Sequence, residues 1–360
     1  MLKKLILLSS LSGALLSLMT QGFINQSWAN SNGFFYIDEL EGEVTIQHNS
    51  SGDFRPAFPG DPLDTNDKIQ LRAGASAIVI CSNGEPWEVP TGVISDIPES
   101  CSGGTVLVRS DSNRLKSRNI GNPNVPYVIS PRGLLAEELS QIRWNKVADA
   151  NSYNVQILEG SEEIWSQTTS DTEISYSAQL LEPGLGYEVV VETDNGISSR
   201  VEGVNGFRLL EESESQPILA NAETIKQQEL SQESKSLALA YLYLSQDLNS
   251  EAIAILENLI EAETQKTIVY RLLGDTYRQT GLSALAKEHY LNGLTLAEAE
   301  GNSPGIASIK FGLAEAEYAL GNEDDAVTWM EQAQKEYVVL GDESNQQESG
   351  ERIKYFLGEI

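Results

Sequence analysis

Cationic, histidine and cysteine side chains are scarce in this chain, and each scarcity closes off a class of function. Of 360 residues, 24 are Lys or Arg against 53 Asp or Glu, a formal net charge of −29. A surface of that sign repels nucleic acid and anionic membranes. It suits basic partners or divalent cations, and it also simply keeps a chain soluble. From Glu211 onward there are 27 acidic and 10 basic residues, so the C-terminal part carries more than half of the excess. The two histidines, His48 and His289, have no second His or Cys at ligand spacing, so both read as surface residues. Asp61, Asp64 and Asp67 fall three apart, but no glycine holds the required turn position and no bidentate Glu closes the loop. They read as a solvated turn rather than a calcium site. A Gly-x-Ser-x-Gly elbow, a phosphate-cradling glycine loop and paired carboxylates in a recognisable setting are also missing. The reading is of a non-enzymatic chain with no catalytic residue, cofactor or metal.

Only one long apolar run is present, and it lies at the N-terminus. Lys3 and Lys4 precede Leu5–Met19, and a polar stretch ends in Ser27-Trp28-Ala29. Basic residues, a short apolar segment and small residues at Ser27 and Ala29 make an export signal with cleavage expected after Ala29. An uncleaved membrane anchor is the alternative, although serines and a glycine interrupt the run. With the signal removed, no membrane insertion is expected, and the address is periplasm, cell envelope or medium. An exported chain meets an oxidising environment, so its two cysteines, Cys81 and Cys101, are expected to form a disulfide; two buried thiols are the alternative.

Residues 30–110 read as short strands separated by Gly, Pro, Asn and Asp clusters: Gly33–Ile37, Glu43–Gln47, Ala77–Ile80 and Thr105–Val108. The run Gly60-Asp61-Pro62-Leu63-Asp64-Thr65-Asn66-Asp67, the apolar strand Ala77–Ile80 and the hairpin Asn83-Gly84 resemble the FecR-type β-domain. Asn83 stands where that family has Asp, and the two cysteines are additions. Residues 111–131, with Asn122-Pro123, Val125-Pro126 and Ser130-Pro131, read as an extended connector. Between 132 and 210 come Trp144, the alternating strand Tyr153–Leu158 and the series Leu181-x-Pro183-x-x-x-Tyr187. This order resembles a fibronectin type III sandwich. The resemblance implies Trp144 in the core and a Tyr187 hydroxyl bonded back near Leu181. Residues 211–221 are acidic and serine-rich and read as a flexible link.

From Ala222 to the end the periodicity is helical, and it repeats. Leu239-Ala240…Tyr243…Ala252…Leu256 recurs 34 residues later as Leu273-Gly274…Tyr277…Ala286…Tyr290. A third copy, Leu313-Ala314…Ala326…Met330…Ala333, follows displaced by 40. Small residues recur where two helices must approach, and large apolar ones flank them; such units bury their faces only by stacking. The pattern resembles the tetratricopeptide repeat, with repeats at about 233–266, 267–300 and 307–340, an insertion at 301–306, and a closing helix over 344–360. The fold class is thus multidomain β plus α: FecR-like domain, fibronectin III-like sandwich, helical solenoid. That order resembles exported cyanobacterial proteins that join such modules, with 126–132 at the junction.

In the tetratricopeptide family the first helix of each repeat lines a concave groove. The resemblance carries that role to Leu237, Tyr241 and Leu244, to Ile268, Arg271, Asp275 and Arg278, and to Phe311, Glu315 and Tyr318. Aromatics beside arginines make good anchors for a partner. Packing of these residues against the closing helix or the sandwich is the alternative. The functional expectation is an exported protein–protein interaction adaptor whose partner, an unknown protein or peptide for which the charge suits a basic one, sits in that groove. A cell-envelope glycan-binding module using Trp87 or Trp165, and a FecR-like envelope sensor, are the rival readings.

Overall fold

The computed structural model describes residues 35–48, 53–102, 122–178, 180–203 and 205–359. The expected signal segment with its cleavage after Ala29, the strand Thr105–Val108 and most of the 111–131 connector lie outside these residues.

Among the described residues, eight short strands build the first unit: β1 (Phe35–Glu41), β2 (Val44–Gln47), β3 (Arg55–Pro56), β4 (Pro62–Leu63), β5 (Lys68–Leu71), β6 (Ser76–Ile80), β7 (Pro86–Glu88) and β8 (Ile94–Asp96). They form two four-stranded sheets, in the orders β4-β1-β6-β7 and β3-β2-β5-β8. Alternation sets which side chains go inward: Val44 and Ile46 of β2 and Ile69 and Leu71 of β5 share one core with Phe35, Ile37 and Val79. Cys81 and Cys101 lie within that core at disulfide distance, their Cα atoms 4.6 Å apart. A register shift between Ile37 and Glu39 leaves Asp38 out of the ladder, buried and pointing toward the helices.

The second unit is a sandwich of β9 (Val128–Ser130), β10 (Gly133–Leu135), β11 (Gln141–Trp144), β12 (Tyr153–Glu159), β13 (Glu162–Thr169), β14 (Glu173–Ser175), β15 (Gly186–Thr193) and β16 (Gly206–Leu209). Its sheets run β14-β11-β9 and β10-β16-β15-β12-β13. Trp144 is buried between them, edge-on to Tyr153. The Tyr187 hydroxyl accepts the Glu182 N–H at 2.8 Å and donates to the Glu182 carbonyl at 3.3 Å, one residue from the expected position.

Eight helices follow: α1 (Glu212–Gln227), α2 (Gln232–Ser245), α3 (Asn249–Glu261), α4 (Thr267–Gln279), α5 (Ser283–Glu300), α6 (Ser303–Ala319), α7 (Glu323–Leu340) and α8 (Glu343–Phe356). Two expectations are corrected. The segment read as a flexible link is the start of α1, because Glu211 and Glu214 form a reciprocal capping box and acidic residues in the first turn complement the helix dipole. Residues 301–306 do not extend a turn either. Gly301 closes α5, the Asn302 side chain accepts the Gly305 N–H at 2.8 Å, and α6 begins at Ser303. The extra residues of the longer repeat go into helix instead, since α5, α6 and α7 have 17 or 18 residues against 13 or 14 in α2, α3 and α4.

The units are not beads on a string. Tyr36 and Ile80 of the first unit, Tyr127 before the sandwich and Leu210 after it belong to the same buried apolar cluster as the helices from α1 to α6. One continuous core therefore joins all three.

Candidate protein-binding surface

Helices α2, α4 and α6 carry the ten residues expected to line a groove, and the structure divides them into two groups. Leu237, Tyr241 and Ile268 do not face an open hollow; all three are buried. The first β-unit covers Tyr241 and Ile268. Tyr36 packs its ring 4.6 Å from that of Tyr241, the Tyr241 hydroxyl donates to the Gly60 carbonyl at 3.1 Å, and Asp38 meets Lys266 at 3.3 Å. Gly60 allows this approach. It has φ +86°, and a Cβ there would stand 2.4 Å from the Ile268 side chain. Burial pushes the pKa of the Tyr241 phenol far up, so it remains a hydrogen-bond donor at any ordinary pH.

The other seven lie further along the array and are tied among themselves. Leu244 with Tyr241, Ser245, Leu272, Asp275, Thr276 and Gln279 encloses about 20 Å³ between α2 and α4, room for one water and no ligand. Arg271, buried, pairs with Asp275 one turn along α4 at 3.1 Å. Tyr290 of α5 donates to the second Asp275 oxygen at 2.6 Å and accepts from Arg278 Nε at 3.4 Å. Its ring reaches the inner face because α6 has no side chain at Gly312, where a Cβ would lie 2.4 Å from the ring. Glu315 takes a bidentate pair of bonds from Arg352 of α8, at 2.6 and 2.7 Å. Tyr318 stacks on Phe356 at 4.4 Å, with Tyr355 5.4 Å away, and Phe311 packs into the same end cluster. Arg278, Phe311, Glu315 and Tyr318 are all half-buried. What remains accessible is thus a strip from α4 to α8 that alternates charge with aromatic rings.

Residues read as bland at first prove more constrained. Asp67 is fully buried, accepting from the Asp64 N–H at 2.8 Å and bonding His48 at 2.7 Å, while Asp61 takes the Phe58 N–H and Arg55, each at 3.0 Å. These aspartates organise their own loop. His289 is not a surface residue: its ring stacks 5.5 Å from Tyr277, and its Nδ1 is buried with no hydrogen-bond partner among the described residues. Trp87 and Trp165 are half-buried, Trp165 edge-on to Tyr176 at 5.4 Å. The contacts that sequence reading missed are those between units: Tyr36, Asp38 and Gly60 on one side, and Arg132, Ala136 and Arg143 on the other. Helical or strand periodicity carries no signal for partners more than a hundred residues apart.

A family model described as tetratricopeptide repeat matches residues 265–335, covering α4, α5, α6 and most of α7. The chain is similar to the crystal structure of BtubC (BKLC) from P. vanneervenii, at 17% identity and TM-score 0.31, over 40% of this chain and 63% of that one. It is also similar to a Podosopora anserina putative kinesin light chain with nearly identical TPR-like repeats, at 18% identity and TM-score 0.28, over 41% and 84% of the two chains. A third likeness is to the fibronectin(III)-like modules of Clostridium thermocellum CbhA, at 12% identity and TM-score 0.18, over 47% and 76%. No curated protein sequence matches the chain. Among the described residues, no helix is long and apolar enough to cross a membrane.

Proposed function

We propose that this chain is an exported, non-enzymatic adaptor that holds a protein or peptide on the strip of repeat surface between Arg278 and Tyr318. The observation that carries the reading is the tetratricopeptide match at 265–335, because stacked helical pairs offer an extended face to a partner. The burial of Leu237, and the covering of Tyr241 and Ile268 by the first β-unit, move the docking surface to the second half of the array. Arg278 and Tyr318, both half-buried, supply the residue types that anchor interfaces, since they bury area and give directional bonds. The acidic balance of the array favours a basic partner through electrostatic steering. Export is supported by the pattern of basic, apolar and small residues up to Ala29 and by the paired cysteines.

The test is a photo-crosslinking residue placed at Tyr318 in the full-length chain in its native host, with Trp165 as the comparison position. One discrete protein adduct from position 318, lost on Arg278→Glu, is the expected result. Adducts from position 165 alone, together with retention of the chain on envelope polysaccharide, would favour the glycan-binding reading instead.

A further inference from the structure

Arg143, Arg132 and Ala136 of the sandwich make polar contacts with α3 and the end of α4, and the charges there are unequally matched. Arg143 pairs with Glu257 of α3 at 2.6 Å, and the Tyr277 hydroxyl donates to the other Glu257 oxygen. Arg132 donates its backbone N–H to the Ser250 hydroxyl at 2.9 Å and sends its guanidinium to the carbonyls of Val128 and Thr280, at 2.7 and 3.0 Å. The third contact joins the Ala136 N–H to Glu251 Oε1 at 2.7 Å. The other oxygen, Oε2, is buried with no hydrogen-bond partner among the described residues.

Glu251 thus sits in the same joint as Glu257 without a cation of its own. From the sandwich side it faces Glu137, one residue beyond the amide it holds; from α2 it faces Tyr243, with Glu223 of α1 behind. On α4, Tyr277 turns to Glu257, and Arg132 spends its donors on carbonyls. Removing a carboxylate from water without a counter-charge favours its neutral form. Burial pushes Glu251 up to about 7, against the opposing pull of the backbone N–H groups of Ala136, Glu251 and Glu137.

We propose that the joint between sandwich and array is a pH-sensitive latch, closed while the Glu251 carboxyl is protonated and loosened when it ionises. The sign follows from linkage. A carboxyl raised in the closed form contributes fully below the ordinary Glu value of 4.5, and that contribution declines as pH climbs to about 7. The latch acts on the seating of the β-units against α3, whichever partner the array holds.

Hydrogen exchange of 133–136 and 249–253 in the full-length protein, corrected for the intrinsic pH dependence of exchange, tests this. Protection should fall about tenfold between about pH 6 and pH 8 in the wild type. It should not fall in Glu251→Gln, which keeps an acceptor for the Ala136 N–H and cannot ionise. Equal pH dependence in both proteins, or none in the wild type, would overturn the latch. Should the variant not fold, the carboxyl carbon resonance of Glu251 in the wild type decides: a midpoint near 7 supports the latch, and one near 4.5 removes it.

Discussion

The hydroxyl of Tyr241 donates to the carbonyl of Gly60 across 181 residues of sequence, at 3.1 Å and in a fully buried setting. This bond closes the first half of the repeat surface with the chain's own β-unit. Tyr241→Phe removes it and should cost about 1 kcal/mol. Gly60→Val should cost more, about 2–3 kcal/mol, because the residue has positive φ and its Cβ would enter the Ile268 side chain. Denaturant unfolding of the full-length protein checks both; a neutral Gly60→Val would mean that the β-unit does not seat there.

The closing helix depends on one charge pair. Arg352 and Glu315 have side chains only 17% and 16% exposed, so the bidentate pair is largely shielded from water. Burial first and Glu315 second push the pKa of the Glu348 carboxyl up, and the same arginine opposes that rise. Arg352→Ala should therefore cost about 2 kcal/mol and raise hydrogen exchange across 343–356. Arg352→Lys should restore only part of the loss, since an ammonium cannot make both bonds. Unchanged exchange in α8 after Arg352→Ala would contradict this account.

Burial lowers the basicity of His289, although Glu288 and Glu257 partly oppose the shift. The unfolded chain then binds the proton more readily than the native one. Stability should be complete above the ordinary histidine value of about 6.5 and decline as pH falls below it. Because Glu251 acts in the opposite direction, the measurement belongs in the Glu251→Gln background. There His289→Phe, which keeps a ring against Tyr277, should flatten the slope of thermal stability below pH 6.5. A slope that survives the substitution would assign it elsewhere.

Much of the local architecture is legible in the residues themselves. Strand alternation marks β2 and β12, and the recurrence of Ala252, Ala286 and Ala326 marks the close approaches within the helical pairs, all three fully buried. The order Trp144, Tyr153 and Tyr187 places the sandwich core. The errors have local causes. The stretch 211–221 looks like a linker by composition, yet its acids cap and charge a helix start. The stretch 301–306 looks like an insertion, yet its asparagine caps the next helix.

The groove was legible only in part, for a different reason. The register of α2, α4 and α6 identifies which side chains face inward, but facing inward does not tell whether another unit lies on top. Tyr241 and Glu315 hold equivalent positions by repeat logic; one is buried under Tyr36 and Gly60, and the other pairs with Arg352 of α8.

By itself, the amino-acid order determined the succession of two β-units and a helical array, because periodicity, caps and turn residues act over a few positions. Only the tertiary structure decided that the first β-unit would shut half of the inner face and that Glu251 would lie uncompensated against the sandwich. Those outcomes depend on burial and charge brought together from segments far apart, where shape and desolvation, rather than spacing along the chain, set the energy.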